Sequence, residues 1–265
     1  MSIYVTSDNL YFDKFSIPNL QNDPGIVTKH VHSFYEVIFF VGGEANYVVE
    51  GKRYKLRKND LVFTRPSTYH YIELLSNATY TRYLFTFEPK NDLDKALVNS
   101  IPAHLDVVNF HEQSIVNENF KRIDYYASRL SNEAFSDVLY GLLKEILHNL
   151  ALTETDIITI PSELSPILTR ALEYVNDNLF TLSDVDELAR AMSLSPPYLF
   201  KIFKQQLKIS PKQYVILKRL QYAQTMIRRG KKPTEIYLDC GFQSYVGFYK
   251  HFLKTFGYPP SQEKP

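Results

Sequence analysis

The 265-residue chain is 45% hydrophobic and 22% charged, an ordinary globular composition that excludes a disordered or low-complexity protein. One cysteine, Cys240, excludes an internal disulfide framework and suits a reducing compartment. The longest apolar run, Val37 to Val41, falls far short of the ~20 residues of a membrane span, and the opening "MSIYVTSDNL" lacks a signal-peptide pattern, so a soluble cytoplasmic protein of two modest domains is expected.

Residues 3 to about 110 read as short strands. Apolar alternation at Ala45, Tyr47 and Val49 is broken by Gly42-Gly43, Glu50-Gly51 and Asn59-Asp60, residues that tolerate positive φ and make turns. Strands at that spacing predict a sandwich or small barrel. Within them, "HVHSFYE" (His30 to Glu36) raises a separate question, because His30, His32, Glu36 and the downstream His70 have side chains that could close around a metal.

The period then changes. Phe120, Ile123, Ala127 and Leu130, then Phe135, Leu139, Leu142, Ile146 and Leu150, recur three and four apart and predict helices. Val138, Leu143 and Leu147 widen the second stripe, which leaves two alternatives: a face for a second subunit, or burial within one chain. "LTETDIITIPSELSP" (152–166), with two prolines, reads as a linker.

Beyond it the pattern is helical only and the charge changes sign. From Pro161 onward there are 15 Lys and Arg against 9 Asp and Glu, and from Ser195 onward 13 against 3. A basic end on a near-neutral chain fits a polyanionic partner, the plainer alternative being a solvated basic face. "DVDELARAMSLSPPYLFKIFKQQL" reads as a short helix, a turn and a helix capped by Ser195 with Pro196 in its first turn. "PTEIYLDCGFQSYVGFYKHFLKTF" repeats the plan, with Thr234 and Ser244 as caps and a turn at Gly241. A long helix from Pro211 to about Arg229, stopped by Gly230, lies between. Two such helix-turn-helix units on a stiff spacer suit successive major grooves, roughly 34 Å apart. Stripe spacing turns Leu199, Ile202, Phe203, Leu207, Phe248, Phe252 and Phe256 inward. It leaves Pro197, Phe200, Lys201, Tyr245, Val246, Tyr249 and Lys250 outward to meet base edges and thymine methyls. Ser195, Lys204, Lys208, Lys218, Arg219, Ser244, His251 and Lys254 are then candidates for phosphate.

The segments "ELARAMSLSPPYLFKIFK", "SPKQYVILKRLQYAQTMI" and "CGFQSYVGFYKHF…FGYPP" closely resemble the DNA-binding domain of the AraC/XylS family of bacterial transcription regulators, over residues 165–262. The resemblance implies base contact by the outward positions and a framework of Tyr198, Leu199, Phe203, Gly241, Phe242, Phe248, Phe252, Gly257 and Pro260. Three positions depart from the family pattern: Tyr237 stands for a usual alanine, Lys208 for a common glycine, and Leu253 for a usual basic residue. The N-terminal strands resemble the cupin-like sensor domain of the same family. Gly25, His30, His32, Glu36 and Gly43 approximate one cupin motif and Pro66 with His70 a second, each with shifted spacing.

The expected fold class is α+β. It comprises a cupin-like effector-sensing β-barrel (1–112), a helical dimerisation segment (113–152), a linker (153–164) and an all-α AraC-type DNA-binding domain (165–263). The last holds helix-turn-helix units at about 182–206 and 233–255 joined by a connecting helix at 211–229. The expected function is sequence-specific transcription regulation in response to a small-molecule effector, a sugar being the class the resemblance implies. His32, Glu36, Tyr47, His70 and Tyr83 are the candidate effector contacts. Promoter DNA, a homodimer and, for an activator, RNA polymerase are the expected partners. No catalysis, cofactor or bound metal is expected, and Cys240 reads as a small buried residue. A metal-binding cupin enzyme using His30, His32, Glu36 and His70, or a ligand-independent regulator, are the alternatives.

Overall fold

The computed structural model describes residues 3–7, 9–17, 31–153 and 165–263. His30 and nearly all of the expected linker lie outside these. β1 (Ile3–Ser7), β2 (Leu10–Ile17), β3 (Tyr35–Gly42), β4 (Ala45–Val49), β5 (Lys52–Lys55), β6 (Asp60–Thr64), β7 (His70–Leu74) and β8 (Tyr80–Phe87) precede α1 (Asp92–Ser100) and β9 (Val107–Asn109). They form a six-stranded sheet in the order β1-β2-β8-β3-β6-β9 and a three-stranded sheet in the order β5-β4-β7, with antiparallel pairing throughout.

Strand periodicity explains how the two cores divide. On β3, Ile38 and Phe40 point between the sheets with Tyr47, Val49, Tyr54, Ile72 and Tyr80. Val37 and Phe39 point the other way and meet α1, α2 (Ile115–Ala127) and α3 (Asn132–Ala151). β3 is therefore apolar on both faces, as a strand covered on both sides must be. The widened stripe of α3 is buried within this one chain, with Leu143 at 0% and Leu147 at 3% exposure, and Val138 packs on the same cluster. The stripe thus supplies no free apolar face for a second subunit. Sequence periodicity missed α1, although Asn91 accepts from the Asp94 amide as its cap and Asp92 and Asp94 sit in its first turn.

The C-terminal half is helical: α4 (Pro166–Asp177), α5 (Val185–Ala191), α6 (Pro196–Gln206), α7 (Pro211–Arg228), α8 (Pro233–Ile236) and α9 (Tyr245–Phe256). Lys232, not Thr234, is the α8 cap, because Pro233 takes the first helical position. Gly230 and Gly257 adopt positive φ where the chain leaves α7 and α9, and Gly241 does so in the turn between α8 and α9. α7 opens with a capping box in which the Ser210 and Gln213 side chains bond each other's backbone N–H.

The two halves share a core. Val48 and Tyr71 lie on the outer face of the three-stranded sheet, and with Val31 and Tyr69 they pack against the cluster built from α4 to α7.

Candidate functional site

The cationic surface is built first by the two short-turn-helix units. Leu199, Ile202 and Phe203 anchor α6 inward, and Phe248 and Phe252 anchor α9. On α6, Pro197, Phe200, Lys201 and Lys204 are exposed, and the Lys204 ammonium lies 5.7 Å from the Phe200 ring centre. On α9, Val246, Tyr249 and Lys250 are exposed. Phe200 is 47% and Val246 63% exposed, so each helix presents an apolar side chain among its outward lysines. Tyr245 is less outward than expected, because its ring packs 5.8 Å from Tyr237, the position where the family pattern has alanine. Tyr198, expected in the framework, is instead 46% exposed and adds to the outward surface of α6.

Ser195, Lys208 and Lys254 are exposed. Ser244 accepts from the Gly247 amide at 3.2 Å, so its hydroxyl caps α9. Partial burial, together with Lys212 and Lys254 nearby, pushes the His251 imidazole below its ordinary pKa and favours the neutral ring.

Two expected phosphate contacts are overturned. Arg219 is buried, and its guanidinium donates to the carbonyl oxygens of Leu179 (2.7 Å), Gly241 (2.8 Å) and Leu182 (2.6 Å). It ties the two units to each other, its Nε and both terminal nitrogens committed to backbone carbonyls. Lys218 donates to Glu50 Oε1 at 3.0 Å and to the Ser67 carbonyl at 2.7 Å, so the barrel holds it. The carboxylate of Glu50 also accepts from Tyr214 Oη and from the Tyr69 amide. Tyr69 Oη donates to the Leu207 carbonyl at 3.1 Å. Arg228 adds a second tie, donating to Ser33 Oγ at 2.5 Å, Glu88 at 2.9 Å and Glu263 at 2.7 Å. No sequence pattern signals the ties between the two halves, whose members are more than a hundred residues apart.

In the barrel, four of the five expected effector residues converge. His32, Glu36 and His70 are buried, and one donor atom from each lies within 4.8 Å of the others. Glu36 belongs to the inward face of β3, and His70 opens β7, beside Val49 on β4. His32 Nε2 and His70 Nε2 each face a Glu36 oxygen at 3.5 Å. Burial would raise the Glu36 carboxyl, but the two facing imidazoles outweigh it and hold the group well below the usual carboxylate range. The Tyr47 ring lies 6.0 Å from that of His70, and its hydroxyl bonds Thr64 Oγ1 at 2.6 Å. Tyr83 does not join them. It shares strand parity with Phe85 and Phe87, faces the helices, and donates to Asp124 at 2.8 Å. Cys240 is fully buried, which pushes its thiol up to about 12 and leaves no thiolate nucleophile.

Two family models match this arrangement half by half: an AraC-like ligand binding domain over residues 21–146 and a helix-turn-helix domain over residues 188–264. The chain belongs to the AraC/XylS family of transcription regulators. As a family member it is a DNA-binding regulator with an N-terminal ligand-binding domain, and its relatives are regulators rather than enzymes. The HTH-type transcriptional activator RhaS of Escherichia coli (strain K12 / DH10B) is 24% identical over 242 residues, covering 88% of this chain and 85% of RhaS. Among solved structures, apo ToxT K231A from Vibrio cholerae covers 97% of both chains at 14% identity and a TM-score of 0.42. The C-terminal domain of AraT, a response regulator from Geobacillus stearothermophilus, is 30% identical over 39% of this chain and 87% of its own, at a TM-score of 0.37. Among the described residues, no helix is long and apolar enough to cross a membrane.

Proposed function

We propose that this AraC/XylS regulator reads promoter DNA with the outward faces of α6 and α9 and answers to a small polar effector in its barrel. One observation carries the first half: both recognition helices expose apolar side chains among lysines, Phe200 beside Lys201 and Val246 near Lys250. Thymine methyls and phosphates match such faces. Pro197, Phe200, Lys201, Tyr245, Val246, Tyr249 and Lys250 are assigned to bases, and Ser195, Lys204, Lys208, Ser244, His251 and Lys254 to phosphates. α7, with 18 residues, spans about 27 Å and holds the two readers apart.

The effector reading rests on the buried meeting of His32, Glu36, Tyr47 and His70, whose imidazoles, carboxylate and ring suit hydroxyl-rich ligands, sugars among them. A ligand-independent regulator is the second reading. It draws on the aromatic filling of the barrel by Phe40, Tyr47, Tyr54 and Tyr80, all nearly inaccessible. The homodimer and contact with RNA polymerase complete the proposal.

The DNA half is tested by selecting bound sequences from a random pool with the full chain and measuring affinity across salt. The Lys201→Ala/Lys250→Ala double variant should bind the selected site more weakly. A base contact is worth about 1–3 kcal/mol and shows as relaxed preference, while each lost phosphate contact flattens the salt slope by about 1. Unchanged affinity and slope would reject this docking. A metabolite screen by thermal shift tests the effector, since a ligand at 100 times its Kd adds about 2.7 kcal/mol to stability.

A further inference from the structure

We infer that the operators of this regulator are rich in A·T pairs, read chiefly through thymine methyl groups. The inference rests on the reading that the outward faces of α6 and α9 meet base edges, and it adds which bases those faces can read.

The major groove offers each base a different partner. Guanine takes the donors of arginine or lysine, adenine an asparagine or glutamine amide, cytosine a carboxylate acceptor, and thymine an apolar contact with its 5-methyl group. α6 reads PPYLFKIFKQQ and α9 reads YVGFYKHFLKTF, so neither helix carries an arginine, an asparagine, an aspartate or a glutamate. Cytosine therefore lacks its carboxylate acceptor on both helices, and guanine has lysine only. Lysine is a flexible point charge without the planar fork of arginine, so it fixes a guanine less firmly. The one kind of amide present is glutamine, which matches adenine. Gln205 is exposed near the end of α6, while the Gln206 side chain accepts from the Ser165 amide at 3.3 Å. Thymine has the most partners, because Phe200, Val246 and Leu253 stand outward at 47%, 63% and 40% exposure.

Position along each helix brings these groups to the bases. The N-terminal turns of a recognition helix enter the groove, and Val246 lies in the first turn of α9 and Phe200 in the second turn of α6. Val246, Lys250 and Leu253 follow one another at four and three residues, a line on the side of α9 opposite the buried Phe248 and Phe252. At 1.5 Å per residue that line spans about 10 Å, close to three base steps. It ends on Leu253, an apolar group where the family pattern has a charge. On α6 the Lys204 ammonium, 5.7 Å from the Phe200 ring centre, sets a positive charge for the backbone beside an apolar group for the base.

The test uses the full chain and a pool of random-sequence duplexes. The sites retained should be A·T-rich beneath both helices. The selected duplex is then remade with uracil for one thymine at a time, a change that removes only the 5-methyl group. At the positions under Phe200 and Val246 binding should weaken about fourfold each, the weight of one buried methyl-sized group. Val246→Ala should abolish the uracil effect at one of these positions and Phe200→Ala at the other, whereas Val246→Thr, which keeps a methyl, should retain it. Both side chains are exposed, so thermal melts of the variants should match the parent. A·T-rich sites on which uracil has no effect would mean that DNA shape is read instead, and would overturn the inference. G·C-rich sites that the Lys201→Ala/Lys250→Ala variant binds more weakly would overturn it too, and leave the docking standing. A pool that yields no preferred sequence would also overturn it, and unchanged affinity in that double variant would reject the docking as well.

Discussion

A methyl group at position 241 would sit 2.7 Å from Arg219 Nε and 2.9 Å from the Phe180 carbonyl oxygen, on a backbone at φ +80°. Both conditions demand glycine, so Gly241→Ala should cost about 2–3 kcal/mol. Arg219→Met fills similar volume but leaves three carbonyl groups without their donor, and about 3–5 kcal/mol should be lost in urea unfolding of the helical half. Lys208 is the opposite case. Its φ of 61° explains why the family pattern has glycine there, and an exposed lysine in that region is strained. Lys208→Gly should therefore raise stability by about 0.5–1 kcal/mol, and weaken DNA binding only if the ammonium meets phosphate. Charge alone suggested that Arg219 faces outward, but spacing could have corrected it. Val215, Arg219, Ala223 and Ile227 fall on one buried stripe of α7. Lys218 carried no such warning, since its partner Glu50 comes from another element far along the chain.

Elements announced themselves where periodicity and caps agreed. The helices after Ser165 were legible within a few residues because each has a polar cap or a proline start and a glycine or turn at its end. α1 was not, since a nine-residue helix among strands shows barely two turns of pattern. The caps also yield a prediction that separates structure from recognition. Ser210 and Gln213 form a full capping box, so Ser210→Ala should destabilise α7 by about 1 kcal/mol. Ser195 makes no side-chain cap bond, so Ser195→Ala should be near neutral in thermal unfolding. If its exposed hydroxyl meets phosphate, the same variant lowers DNA affinity uniformly across sequences. Stability falling with Ser195→Ala, with DNA binding untouched, would return that residue to a capping role.

At the scale of the whole molecule, the decisive contact is one that neither half's sequence displays. The inward alternation of Ala45, Tyr47 and Val49 was readable, and so was the apolar character of Val48, but not that Val48 would meet the helical half. Glu50, at the end of β4, gathers the Tyr69 amide, Tyr214 Oη and Lys218 Nζ around one carboxylate. Glu50→Ala removes the acceptor from a buried hydroxyl and leaves Lys218 with the Ser67 carbonyl alone, while the separate cores around Phe85 and Phe248 keep every contact. The halves should thus stay folded and part more readily. Hydrogen exchange should speed up at the Tyr69 and Leu207 amides and stay constant at Phe248 and Phe252. Binding in the barrel should also lose its grip on DNA affinity, because coupling between sites, typically 1–3 kcal/mol, needs a contact that differs between states. Equal exchange at Tyr69 and Leu207 in parent and variant would show that apolar packing of Val31, Val48 and Tyr71 holds the halves together without Glu50.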